Sequence, residues 1–433
     1  MRFHSIEAGK NEYAIYFPDT MQVVKGNKNT VDMLRMIADG ASLEELVRDG
    51  FPVNKDSFGS CKELMGDGVK PELPVRNRNR LPELVMHVSN DCNMRCLYCY
   101  GQGGCYNMKR ELMTEETVIE ALEKMYAIYP QIDLVDFFGG EPSMNFDVIK
   151  AACKYIKEHK KDSCVGMVTN GTYAGEELVE LIREYDFKVT FSVDVQPMQD
   201  RLRPLVGGGP SFDIVLKNFK YLRERTSEPS TIEVTYTEEH RINGISPAKF
   251  IKELRKDFGD VFIVFNPVLT SNPKYRISDY SEFGPSVDEL REDKQLYDTS
   301  PFVNNIFKVI GQGKANYHFC GSGFGKTAVS TTGDIYACQG FLGLEEFRFG
   351  NVYEPIDVLR ERVWTKSDEL YNHNKAIEEG KCKDCYLNTY CHRCISNNKM
   401  ITGNYYEAPE DMCRMQKDVF DRVIRNTMLD ISE

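Results

Sequence analysis

No run of about 18 apolar residues occurs anywhere in the 433 residues, so the sequence offers no helix able to span a bilayer and no membrane partner is expected. Positive charge is also in short supply. Its 54 Lys and Arg against 66 Asp and Glu leave a formal net charge of -12, which argues against a general phosphate-backbone binder, so no nucleic-acid partner is expected either. The first residues, Met1-Arg2-Phe3-His4-Ser5-Ile6-Glu7, lack the apolar stretch of a secretory signal, and a cytoplasmic location is expected. Internal repeats and low-complexity segments are missing as well. In a reducing compartment disulfides do not explain 14 cysteines, which leaves metal.

The cysteines that are present fall into two groups. Cys92, Cys96 and Cys99, in Asp91-Cys92-Asn93-Met94-Arg95-Cys96-Leu97-Tyr98-Cys99-Tyr100, are spaced to ligate three irons of a 4Fe-4S cube and leave the fourth bare. A zinc site is the alternative, but it wants paired CxxC ligands in a complete set of four, and no histidine lies within several residues to complete this one. Seven more cysteines lie in the C-terminal third: Cys320, Cys338, Cys382, Cys385, Cys391, Cys394 and Cys413. The other four are scattered. Cys153 and Cys164 read as core thiols, and Cys105 in its Gly-rich loop as a redox group or a bystander.

Periodicity then divides the chain into three. Residues 1–75 read as a small α+β unit with strands at Tyr13 to Phe17 and Gln22 to Val24, a helix capped by Asn29 or Thr30, and another capped by Ser42. This order is winged-helix-like. A Gly-, Pro- and charge-rich linker follows from Gly66 to Arg80, with Arg76, Arg78 and Arg80 as a solvated face. From 82 to 290, strands and helices alternate: strands at Glu83 to Val88, Leu134 to Phe138, Val165 to Thr169, Lys188 to Val193, Ile232 to Tyr236 and Val261 to Phe265, with helices such as Thr114 to Tyr129 and Glu176 to Tyr185. Such alternation implies parallel strands with right-handed crossovers, an open or closed α/β barrel. The first cysteine group then sits on the loop leaving a strand, where α/β barrels carry their active sites.

Further strand ends carry polar groups. Phe138-Gly139-Gly140-Glu141-Pro142 combines close backbone approach with an acid able to accept from an ammonium group. Thr169-Asn170-Gly171 and Ser192-Val193-Asp194 end the next two strands; they could read a ribose or a carboxylate, and Asn170-Gly171 could equally be only a turn. Arg203 is a candidate carboxylate partner or a surface ion pair.

With these motifs in chain order, the sequence resembles the radical S-adenosylmethionine (SAM) enzymes over about residues 85 to 290. The resemblance implies an α/β fold with a partial (β/α)6 TIM-like barrel, and SAM chelating the open iron through its amine and carboxylate. Gly139, Gly140 and Glu141 would receive the amine. Thr169, Asn170, Ser192 and Asp194 would surround the ribose and carboxylate, with Arg203 beside them and Tyr98 against the adenine.

Residues 291–433 resemble a bridging region followed by the SPASM extension of peptide-modifying relatives. That likeness implies two auxiliary 4Fe-4S clusters, three clusters in all. Cys382, Cys385, Cys391 and Cys413 would complete the distal one, and Cys320, Cys338 and Cys394 would hold the proximal one with an open iron. The chain departs from the pattern in having two residues, not three, before Cys394. It also lacks the extra cysteine that sulfatase-maturing relatives carry shortly after the first. Residues 1–75 resemble the element that grips a precursor peptide's leader by strand addition, with a DNA-binding winged helix as the competing reading. The expectation is a peptide maturase that installs thioether crosslinks in a ribosomally made precursor, fed by a low-potential donor such as ferredoxin or flavodoxin. Carbon-carbon or carbon-oxygen crosslinking and sulfatase-type formylglycine formation are the alternatives.

Overall fold

Three antiparallel strands come first in a computed structural model that describes residues 2–66, 73, 75–159, 161–313, 315–375 and 380–432. They are β1 (His4–Gly9), β2 (Glu12–Phe17) and β3 (Gln22–Gly26), followed by α1 (Lys28–Ala38), α2 (Leu43–Arg48) and α3 (Lys55–Met65). The sequence pattern predicts only the second and third strands. β1 buries just Ile6 and Ala8, too few for a visible alternation, and its register comes from pairing His4 with Tyr16 through Gly9 with Glu12. The cap of α1 also differs from expectation. Asn27, not Asn29 or Thr30, accepts from Thr30 N at 3.0 Å while Thr30 Oγ1 closes the reciprocal bond, so the capping box sets the start. Ser42 caps α2 as expected. Ile15, Phe17, Val31, Leu34, Ile37 and Leu46 form the core between sheet and helices.

This N-terminal sheet belongs to one compact unit with residues 279–319 and 373–433. The long helix Glu410–Ser432 packs on it, with the Phe420 ring 4.9 Å from that of Tyr16 and Asp421 accepting from His4 Nε2 at 3.0 Å. Residues 75–278 and 320–372 form the second unit.

In that second unit β4 (Arg80–Ser89), β5 (Gln131–Gly139), β6 (Cys164–Thr169), β7 (Lys188–Val193), β8 (Thr231–Tyr236) and β9 (Phe262–Pro267) lie side by side in sequence order, all parallel. Helices Glu115–Ile128, Phe146–Glu158, Glu176–Tyr185, Phe212–Arg225 and Pro247–Phe258 make the crossovers. One face buries Val135, Phe137, Val189, Phe191, Ile232, Val234 and Ile263, each contributing roughly 1.5–3 kcal/mol. The opposite face carries the half-buried Asp136, Thr190, Ser192, Glu233 and Asn266, so this face is the one lined for chemistry.

Three short strands extend the sheet beyond β4: β10 (Lys326–Val329), parallel to β4, then β11 (Asp334–Tyr336) and β12 (Arg348–Asn351), both antiparallel. At four, three and four residues they are too short for a readable alternation.

Two residue-level expectations are corrected. Cys153 is buried, but Cys164 is exposed as the first residue of β6, where the strand has not yet entered the core. Of the three arginines read as a solvated face, Arg78 and Arg80 are exposed. The side chain of Arg76 is only 8% exposed, because its guanidinium binds Asp368 at 2.6 Å and Tyr129 OH at 3.2 Å. Residues 67–72 and 74 of the expected linker lie outside the described residues. Among the described residues no helix is long and apolar enough to cross a membrane.

Candidate active site

The loop after β4 carries Cys92, Cys96 and Cys99, and backbone hydrogen bonds hold it from two sides. Arg95 N donates to Pro204 O, Leu97 N to Leu202 O and Val206 N to Asn93 O, all at 2.8–2.9 Å, which ties the cysteine loop to the segment after β7. On the other side Gly140 N donates to Ser89 O at 2.7 Å and Glu141 N to Asp91 O at 2.8 Å. Glycine is required where these loops meet. A Cβ on Gly104 would lie 2.6 Å from Gly140 Cα, and one on Gly140 would collide with Asp91 O.

All three cysteines are half-buried residues, and none of the 14 cysteines forms a disulfide. Burial, with the Glu141 charge second, pushes the Cys92 thiol up to about 12, and burial raises Cys96 too, so metal loading here must release protons. Two N–H groups point at Cys92 Sγ: Met94 N at 3.4 Å and Asn170 Nδ2 at 3.7 Å. Among the described residues no group of three or more His, Cys, Asp or Glu closes to the spacing of a single ion.

The polar strand ends converge on this loop. Glu141 is buried, and its carboxylate accepts from Ser143 N at 3.0 Å, Thr169 Oγ1 at 2.6 Å and Asn170 N at 2.8 Å. A carboxylate offers about four acceptor directions, so one is left for a ligand's ammonium. Asn170 also donates to Asn93 Oδ1 at 2.8 Å, so it anchors the cysteine loop as well as turning the chain.

Arg203 is 5% exposed, which removes the surface ion-pair reading. It donates to Ser192 O at 2.8 Å and to Tyr98 OH at 3.3 Å, while its Nε has no partner. Burial pushes the Tyr98 phenol up and the neighbouring Arg203 charge opposes it. Asp194 is fully buried. Its Oδ1 accepts from Val195 N and His240 Nε2, each at 2.8 Å, and its Oδ2 has no partner.

His240 escaped the sequence reading because it lies on a short helix, Glu238–Ile242, far from any motif; its Nδ1 accepts from Thr237 N at 3.0 Å. His240→Leu removes the imidazole donor from the buried Asp194 carboxylate and leaves it only the Val195 N–H. It is expected to cost about 3 kcal/mol of stability, read as a lower denaturant midpoint at unchanged slope.

A second set of residues was also missed. Glu83 on β4 pairs with Lys326 on β10 at 2.7 Å, and Glu233 on β8 accepts from Asn266 at 2.8 Å. Burial, then the Glu83 charge, pushes the Asp136 carboxyl well above the usual range, and burial likewise raises Glu233. The signal was present: acids in mid-strand among apolar residues are costly in a packed core and so stand out.

Residues 86–239 match the profile described as Radical SAM superfamily. Members bind SAM and a 4Fe-4S cluster. Among relatives of the whole chain, the radical SAM cyclopropyl synthase TigE of Paramaledivibacter caminithermalis is 21% identical over 98% of this chain and 92% of its own. A cysteine-type anaerobic sulfatase-maturating enzyme of Clostridium novyi is 26% identical over 79% and 95%. The solved structure of Streptococcus suis SuiB bound to precursor peptide SuiA shares the fold, with a TM-score of 0.51 at 16% identity over 91% and 94%.

The residues present fit what the radical SAM segment would hold. Three thiols on one pinned loop, a carboxylate with one acceptor direction left, and the partnerless atoms Asp194 Oδ2 and Arg203 Nε supply the donor and acceptor set for an amino acid and a ribose. The later cysteines divide between the units. Cys320 and Cys338 lie in the sheet unit. Cys382, Cys385, Cys391, Cys394 and Cys413 lie in the other, where Cys382 feels Cys391, Cys413 and Cys385 in that order.

Proposed function

We propose that this chain is a peptide maturase that joins a cysteine sulfur of a ribosomally made precursor to a carbon, forming a thioether. Relatives that are maturases of peptides or proteins support the general class. The observation that carries the finer reading is the second cysteine set, with Cys338 just after β11 in the strands that extend the sheet beyond β4. Cys92, Cys96 and Cys99 would hold the SAM cluster, which supplies the low-potential electron that cleaves SAM to a 5'-deoxyadenosyl radical.

The chain's own residues do the positioning. Glu141, Gly139 and Gly140 would take the amine of SAM, and Thr169, Asn170, Ser192, Asp194, Arg203 and Tyr98 the rest of it. Glu83, Asp136, Glu233 and Lys326 line the face on which the peptide's acceptor residue would rest. Cys320 and Cys338 would serve the proximal auxiliary cluster, and Cys382, Cys385, Cys391 and Cys413 would hold the distal one. An open iron in the proximal set would bind the peptide thiolate. Residues 1–75 would grip the leader along a sheet edge, and ferredoxin or flavodoxin would supply electrons.

TigE matches nearly the whole chain, and its description as a cyclopropyl synthase favours carbon-carbon bond formation as the second reading. An anaerobic reaction of reconstituted protein with SAM, reductant and a cysteine-containing precursor separates the two. The expected product has lost about two mass units per linkage, its cysteines are blocked to alkylation, and deoxyadenosine has formed. Full alkylation of a product lighter by two mass units would select the carbon-carbon reading.

A further inference from the structure

Between Cys391 and Cys394 lies Arg393, and its position is unusual for a cation. The residue is 8% exposed, its backbone is fixed by donation of Arg393 N to Phe319 O at 2.7 Å, and its Nε and Nη2 are buried without a partner. Each buried N–H left unsatisfied costs on the order of 1–3 kcal/mol, so two on one guanidinium call for acceptors that the described side chains do not supply.

The thiols around it are the acceptors at hand. Arg393 follows Cys391 by two residues and directly precedes Cys394, which sets it beside the four-cysteine group. The other nearby cations are already engaged. Lys375 Nζ donates to His318 O at 2.6 Å and Cys391 O at 2.5 Å, and Lys381 pairs with Glu410 at 3.1 Å.

We infer that Arg393 donates N–H···S hydrogen bonds to the iron-sulfur cluster held by Cys382, Cys385, Cys391 and Cys413 and raises its reduction potential. The inference rests on those four cysteines holding a cluster. Potentials of such clusters are set by net charge, hydrogen bonds to sulfur and solvent exposure, and a buried cation stabilises the reduced, more negative state.

The test uses the full-length chain carrying C92A, C96A and C99A, so that only auxiliary clusters remain. Iron and sulfide are quantified, and a redox titration is followed by electron paramagnetic resonance. Arg393→Gln is expected to lower one midpoint potential at unchanged iron content, and Arg393→Lys to lower it less. Midpoints equal to those of the parent in a loaded variant would overturn the role of Arg393; if the glutamine variant does not load, the lysine variant decides, since it keeps charge but not the planar fork. A parent that binds no iron would instead overturn the cluster reading itself.

Discussion

Replacing Cys96 by alanine is expected to reduce deoxyadenosine release to that of a protein-free control. The middle cysteine is the one least able to be replaced by a neighbour. Its loop is stitched to Leu202 and Pro204 on one side and to Gly140 and Glu141 on the other by main-chain bonds, so no other thiol can slide into its position. Those bonds do not involve the thiol, so the variant should keep the far-ultraviolet spectrum and thermal midpoint of the metal-free parent. The informative readout is therefore iron content together with deoxyadenosine, and release that persists in Cys96→Ala would remove the radical assignment.

Cys338→Ala should separate SAM cleavage from product formation. Cys338 follows β11 and precedes the short turn Gln339–Phe341, outside the loop of Cys92, Cys96 and Cys99. Deoxyadenosine should still form, because Cys92, Cys96 and Cys99 are intact, while crosslinked peptide falls to background. Retention of a crosslink in this variant would mean that the auxiliary cysteines serve only electron transfer or structure, and would favour carbon-carbon chemistry.

Much of the central sheet was legible from sequence because its signal is local. β4 to β9 each carry their own alternation, and Thr114 marks its helix by accepting from Thr117 N. The strand-end residues could be read for the same reason, since Gly139, Gly140, Glu141, Thr169 and Asn170 follow directly on strands. What stayed hidden is set by partners remote in the chain. β10 has four residues and takes its register from β4, some 240 positions earlier, with Lys326 opposite Glu83. Arg76 looks like any exposed arginine until Asp368 is placed beside it. His240 gains its role only from Asp194, 46 positions away. Cys164 failed for a simpler reason: a thiol at the first residue of a strand lies outside the core even when the next residue is inside.

The N-terminal sheet shares its unit with residues 373–433, and this has a consequence for biogenesis. Residues 1–74 leave the ribosome first, yet Arg2 bonds to Cys385 O at 3.3 Å and Asn388 at 2.9 Å, Thr389 closes onto Pro18 O at 2.8 Å, and the helix bearing Cys413 packs on β1 and β2. At about 5–20 residues per second, roughly 17 to 70 s of synthesis separate the sheet from that helix. The interleaved sheet unit can complete itself in that interval, whereas the earliest-made segment waits for the latest. Trimming the amino-terminal 74 residues would therefore not yield a shortened enzyme lacking only its peptide grip, because the segment around Cys382 to Cys391 would lose the contacts that brace it.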